Sequence, residues 1–159
     1  SMAYTGDLVK AMGGIRTARE AADELCEMDR TLAMEDRQIR AMISINSSDQ
    51  IADMPLHFGL PIDKPFVGDL DIELAVDFSD LLDGEISSSM EFAVSGIASG
   101  ERFWTGSLAD GTAEAENCAE WKSEIDSGVV GSSSATDAQW LASGVDDCAE
   151  TRKLICLAF

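Results

Sequence analysis

The sequence predicts a mixed α+β domain with one long helix, short strands, long loops and two disulfides. Three observations carry this expectation. Apolar residues recur at helical spacing in a single long stretch, they alternate at spacing two in several short stretches, and four cysteines stand far apart. Near the start, Ala3-Tyr4-Thr5 reads as a strand stub followed by the turn residues Gly6 and Asp7. Gly13-Gly14 then acts as a breaker before Ile15, Ala18, Ala22, Leu25 and Cys26, which share one face of a helix running to about Arg30. On that helix Glu20 and Asp23 are expected to point outward and Cys26 inward. Ile39, Ala41, Ile43 and Ile45 alternate with polar neighbours as in a half-buried strand, closed by a turn from Asn46 to Asp49.

The stretch 51–65 carries all three prolines and is expected to be irregular. Phe66-Val67 and the set Leu70, Ile72, Leu74 and Val76 predict two short extended pieces. Phe78 to Gly84 predicts one helical turn ended by glycine. Met90, Phe92 and Val94 alternate and suggest a further strand before a turn at Gly96 to Gly100. Phe103-Trp104-Thr105-Gly106 is a compact apolar strand, and Asp110-Gly111-Thr112 a polar loop. Asn117 to Lys122 reads as a helical turn that sends Cys118 and Trp121 inward. Residues 123–139, rich in Gly and Ser, read as loop, and Leu154-Ile155-Cys156-Leu157 as a final strand.

Charge narrows the partners. Thirty carboxylates face eleven Lys and Arg, for a net charge of −19 spread along the chain. Nucleic acid, anionic membranes and heparin-type polyanions bind through clustered Lys and Arg, and none are clustered here. No apolar run reaches the roughly 18 residues of a membrane-spanning helix, so membrane insertion is not expected. Cys26, Cys118, Cys148 and Cys156 lack the short paired spacing of zinc sites, and the single histidine, His57, has no cysteine near it. Their even number and wide spacing favour two disulfides and an oxidising compartment, hence a secreted or surface location. Three pairings are open on the sequence alone.

The C-terminal third is the specific part. Phe103-Trp104-Thr105-Gly106-Ser107, Asp110-Gly111-Thr112, Asn117-Cys118-Ala119-Glu120-Trp121, Cys148 and Leu154-Ile155-Cys156 together resemble the endostatin domain of collagens. They are more similar still to the endostatin-like modules of bacterial surface and secreted proteins. Seven residues separate Cys148 from Cys156, and Cys118 precedes Cys148 by thirty positions, as in that family. Thr5-Gly6-Asp7-Leu8, the helix ending in Cys26, and Arg40-Ala41-Met42-Ile43-Ser44 have looser counterparts. The resemblance implies a C-type-lectin-like fold over residues 3–159 and a nested pairing, Cys26 with Cys156 and Cys118 with Cys148. Ser1-Met2 reads as a tag remnant, and the whole as the C-terminal tip of a longer protein.

Three family ligand sites do not carry over. The tripeptides used for calcium-dependent sugar binding are absent, Ala138-Gln139-Trp140 being the nearest stretch. The arginine-rich heparin surface and the N-terminal histidine zinc site of collagen endostatin are also missing. Asp69, Asp71 and Glu73 alternate along an expected strand, which makes them a weak cation candidate without a dedicated calcium loop. Asp77, Asp80 and Asp83 read as a solvated turn. With one histidine and all cysteines assigned to disulfides, no catalytic set, resident metal or cofactor is expected.

The function expected is therefore recognition: an adhesion module contacting a cell-surface glycan or protein, with residues 107–147 as the variable loop face. Asp110, Asp137, Gln139 and Trp140 form the candidate site, the indole covering a hexose face while carboxylate and amide groups take hydroxyls. A solvent-facing Trp140 favours this reading. The alternative is a structural cap on a fibre or stalk, trimeric as collagen-linked domains are, with an apolar face buried between identical chains.

Overall fold

The structure, a computed structural model, describes residues 2–29 and 36–159. It is a mixed α+β arrangement of short strands, short helices and one longer helix, closed by two disulfides. The helices are α1 (Leu8–Ala11), α2 (Ala18–Met28), α3 (Met54–Phe58), α4 (Phe78–Leu81) and α5 (Met90–Ala93). The strands are β1 (Ile39–Ala41), β2 (Phe66–Val67), β3 (Glu73–Ala75), β4 (Arg102–Trp104), β5 (Ser127–Ser132), β6 (Gly144–Asp147) and β7 (Cys156–Ala158). All named pairs are antiparallel: β1 with β7, β2 with β3, and β4-β5-β6 as a three-stranded sheet.

The helix α2 begins at Ala18 because Thr17 caps it. Thr17 Oγ1 accepts the Glu20 amide at 3.3 Å, and the Glu20 carboxylate accepts the Thr17 amide at 2.9 Å, the reciprocal capping box. Ile15, expected on the buried face, lies before the cap and is 92% exposed. The expected end near Arg30 falls outside the described residues, as does Ser1 of the expected tag remnant. Asp23 also departs from expectation, since it points inward and is buried. Its carboxylate accepts the Ala41 amide at 2.9 Å and Arg40 at 3.1 Å, with Arg19 at 3.5 Å. Burial pushes the Asp23 carboxyl above the ordinary range, against the pull of that amide and both guanidinium groups.

A layer of extended chain separates two cores. Successive side chains of a strand point to opposite faces, and three adjacent pairs obey this: Ile43, Trp104 and Leu154 enter one cluster, while Met42, Phe103 and Ile155 enter the other. The first core takes Leu8, the buried face of α2, Trp104, Trp121 and three of the cysteines. The second takes Ile51, Met54, Phe78, Leu81, Met90, Trp140 and their neighbours. Only Ile39 to Ala41 of the expected Ile39–Ile45 strand pairs as a ladder, with β7. Beyond it the Met42 amide turns to the Ile155 carbonyl and the Ser44 amide to the Thr105 carbonyl.

Three further expectations are corrected. Residues 51–65 contain a 3₁₀ turn and α3, because Pro55 sits in the first helical turn, where its missing N–H costs no bond. Met90, Phe92 and Val94 do not form a strand. Met90 and Ala93 are buried and Val94 half-buried, the i, i+3, i+4 pattern of a helical turn, so Phe92 faces out at 64% exposure. The stretch 123–139 is not all loop, since β5 within it is the central strand of the three-stranded sheet. Its glycines follow from close approach: a Cβ on Gly131 would lie 2.1 Å from the Trp140 carbonyl oxygen.

Cys26 bonds Cys156 and Cys118 bonds Cys148, with no free cysteine. The first bridge ties α2 to β7; the second closes the segment holding β5. Two formed bridges fit an oxidising compartment. No helix among the described residues is long and apolar enough to cross a membrane.

Candidate functional site

The expected site residues do not assemble as a sugar platform. Trp140 is 1% exposed and packs in the second core, so its ring faces no solvent. The polar neighbours that suggested a surface position serve the backbone: Asp137 caps the short 3₁₀ turn Ala138–Trp140, accepting the Gln139 amide at 3.0 Å. The side-chain amide of Gln139 bends back to Asp137 at 3.4 Å. Asp110 is engaged separately, accepting the hydroxyl of Thr112 at 2.6 Å and its amide at 3.0 Å. That hydroxyl, and then the amide, hold its carboxyl below the ordinary carboxylate range. Its turn is clamped where the Gly111 carbonyl accepts the Ala52 amide at 3.0 Å. Among the described residues no hydrogen bond links Asp110 to Asp137 or Gln139.

The acidic clusters also resolve into local roles. Asp69 and Asp71 lie in the β2–β3 turn rather than along a strand, and Asp69 accepts the Ser95 amide at 2.6 Å. Asp77 caps α4, Asp80 accepts the Val76 amide and Asp83 that of Glu85. Among the described residues no three His, Cys, Asp or Glu side chains gather as metal ligands.

A different feature dominates the loop face. Cys118, Ala119, Glu120 and Trp121 all have positive φ, at 53°, 52°, 58° and 61°. The Trp121 amide donates to the Asn117 carbonyl at 2.8 Å and the Lys122 amide to that of Cys118 at 3.0 Å. The helical turn expected here is therefore present with its hand reversed. Each L-residue in this conformation costs about 1–2 kcal/mol, so it persists only where its surroundings over-determine it. They do so here. Cys118 is disulfide-bonded, Trp121 is fully buried with its indole N–H on the Ser44 carbonyl at 2.8 Å, and the Asn117 side-chain amide donates to the Ile45 carbonyl at 3.0 Å. Asn117 also caps the turn by accepting the Glu120 amide at 2.9 Å.

This turn floors an open groove of about 730 Å³, lined by Ala115, Ala119, Ile125 to Ser127 and Val145 to Asp147. Its lip is apolar, with Ile125 91% exposed and Val145 51% exposed. Its charge is negative. Asp146 is neutralised by Arg102 at 2.5 Å and Arg152 at 2.6 Å. Asp126 and Asp147 are exposed and, among the described residues, form no ion pair. The groove offers apolar contact, two uncompensated carboxylates and no aromatic ring. Sequence reasoning placed the site within 107–147 yet missed Ile125, Asp126, Val145 and Asp147. The signal available was an isoleucine among polar residues just after a cysteine-bearing turn.

No known family model matches the chain, and no curated protein matches it.

Proposed function

We propose that this is an extracellular recognition module of the endostatin-like, C-type-lectin-like kind, gripping a glycan or protein on another surface through the groove beside Cys118–Cys148. The observation that carries this reading is the pair Ile125 and Val145, exposed over unpaired carboxylates on a strained, covalently anchored floor. Strained backbone held by its surroundings is characteristic of ligand sites, and an apolar lip with polar rims marks an interaction surface. With Trp140 buried and no ring in the groove, a protein partner suits the lining better than a hexose face. The absence of clustered Lys and Arg sets polyanions aside.

The test is a glycan, protein and cell-surface binding screen of the purified domain, with calcium and with chelator. Saturable binding is expected, reduced at least about tenfold by Ile125→Lys. Binding that this substitution leaves unchanged would remove the groove from the reading. The alternative, a trimerising cap, is favoured by one observation: Val67, Leu70 and Phe92 are exposed on the β2–β3 hairpin and α5. The Leu70 amide, donating to the Ala93 carbonyl at 3.2 Å, holds those two elements together. Silence across the screen with a trimeric mass by light scattering would establish the cap instead.

A further inference from the structure

The register of β5 and β6 identifies which backbone groups are unbonded at the margin of the groove. The Cys148 amide donates to the Asp126 carbonyl at 2.8 Å, and the ladder continues as Ser127↔Asp147, Gly128↔Asp146, Val129↔Val145 and Val130↔Gly144. Reciprocally bonded and unbonded pairs alternate in an antiparallel ladder. Counting from the 126–148 pair, the next bonded pair is Gly128–Asp146, and at the strand end the Val130 carbonyl takes the Ser143 amide at 2.8 Å. The N–H and C=O of Val145 and Asp147 therefore point away from β5. The same parity holds on the other strand: the Val129 amide donates to the Glu116 carbonyl, and its carbonyl accepts the Thr105 and Gly106 amides, all away from β6. At the outer edge the Asp147 carbonyl takes the Glu150 amide at 2.9 Å, while among the described residues the outward pair on Val145 meets no backbone partner.

Side chains of that parity, Ser127, Val145 and Asp147, share one face and line the groove. Edge strands are ordinarily blunted by lysine, proline or a covering segment. β6, Gly144-Val145-Asp146-Asp147, has neither lysine nor proline, and its charges are all of one sign. Such an edge repels a second copy of this chain, which carries the same net charge of −19. It admits a cationic strand.

We propose that the groove takes an extended basic peptide segment that adds to the edge of β6 as a further strand; this rests on the recognition reading above. The segment accepts from the Val145 N–H and donates to its C=O. On the face it shares with Val145 and Asp147 it sets an aliphatic side chain beside Val145 and, two residues along, Lys or Arg beside Asp147. Main-chain pairing supplies affinity in this mode, and alternate side chains supply specificity.

The probe is a synthetic peptide with Val and Lys alternating along one strand face, two residues apart with Thr between them, titrated by calorimetry against the intact domain. The control is the same peptide N-methylated at alternate residues, which keeps its charge and removes strand donors. Saturable binding of the parent peptide is expected, weakened at least about tenfold by N-methylation. Val145→Pro, which removes the outward N–H together with the valine side chain, is expected to weaken it more than Val145→Ala, which removes the side chain alone and keeps the N–H. Asp147→Asn is expected to weaken binding and flatten its salt dependence. Equal affinity for parent and N-methylated peptides, or no saturable binding of the parent, overturns strand addition. The two readings fail separately: Ile125→Lys abolishing cell-surface binding while the peptide stays silent sinks the peptide and keeps recognition, whereas silence in both sinks both.

Discussion

The two cores are held by different means. The first, between α2 and the central layer, contains Cys26, Cys118 and Cys148 and the edge-to-face pair Trp104 and Trp121, whose ring centroids lie 5.6 Å apart. The second contains no cysteine and depends on burying methionine, phenylalanine and aliphatic side chains against Trp140. Both lie within the loop that Cys26–Cys156 closes, but only the first has bridges packed into its own interior. The groove lies on the covalent side, at its second bridge, so a rigid floor is provided where recognition is proposed. The β2–β3 hairpin, with its exposed apolar residues, lies on the other.

The largest expected effect comes from breaking the covalent side. Converting Cys26 and Cys156 together to Ser removes a bridge between positions 130 apart, a loss of about 5 kcal/mol in the chain-entropy account. The pair Cys118 and Cys148, 30 apart, loses about 3.6 kcal/mol on the same account. Urea midpoints of the two double variants check the order, and a reversed order would place enthalpic strain above loop entropy.

Next comes the packed side. Met90→Ala empties a buried site and is expected to cost about 3 kcal/mol. Limited proteolysis should then cut first between residues 60 and 100, inside the loop closed by Cys26–Cys156, so the fragments part only on reduction while the Cys118–Cys148 segment stays uncut. Early cleavage between 118 and 148 instead would show that the two cores melt as one.

The smallest effect is in pH. Glu20 is held below its ordinary value of 4.5 by the Thr17 amide and hydroxyl, Glu120 by Lys122, and Glu124 by Lys10 and Thr5. All three lie on or beside the first core. Their folded values are depressed, so the stability they contribute is present above about pH 4.5 and is lost as pH falls through the lower folded values. Protonation also relieves the repulsion within a chain of charge −19, which acts in the opposite sense. At about 1 M salt, where the screening length is about 3 Å, that repulsion is suppressed. Asp23, whose folded value is raised, adds stability as pH falls, so the comparison is made at that salt in Asp23→Asn. There the melting temperature is expected to be flat from pH 7 to about 5 and to fall below about 4.5; a rise on acidification would show that the three carboxylates contribute nothing.

The covalent side was also the more legible in the sequence. Cysteines far apart and an apolar face ending in Cys26 announce a stapled helix, because disulfides and helical periodicity leave marks that survive without coordinates. The start of α2 was legible too, in the Thr17…Glu20 spacing of a capping box, which the apolar pattern from Ile15 obscured. β5 was not legible. Gly128 and Gly131 there answer to what packs on them, a constraint that composition reads as loop. Trp140 misled for a related reason: Asp137 and Gln139 are polar because they cap a turn, not because they face water. The groove was least legible of all, since it arises from a reversed turn and a strand parity, and neither has a residue pattern of its own.

The reversed turn also divides the site by how freely it can change. In the left-handed region only Gly, Asn and Asp are at ease, and β-branched residues are excluded. Ala119, exposed on the groove floor, therefore has few acceptable replacements even though nothing covers it. Ile125, also exposed, on the lip, is bound by no such rule. Descendants of this sequence that change partner would do so by drifting at the lip over a floor that varies little.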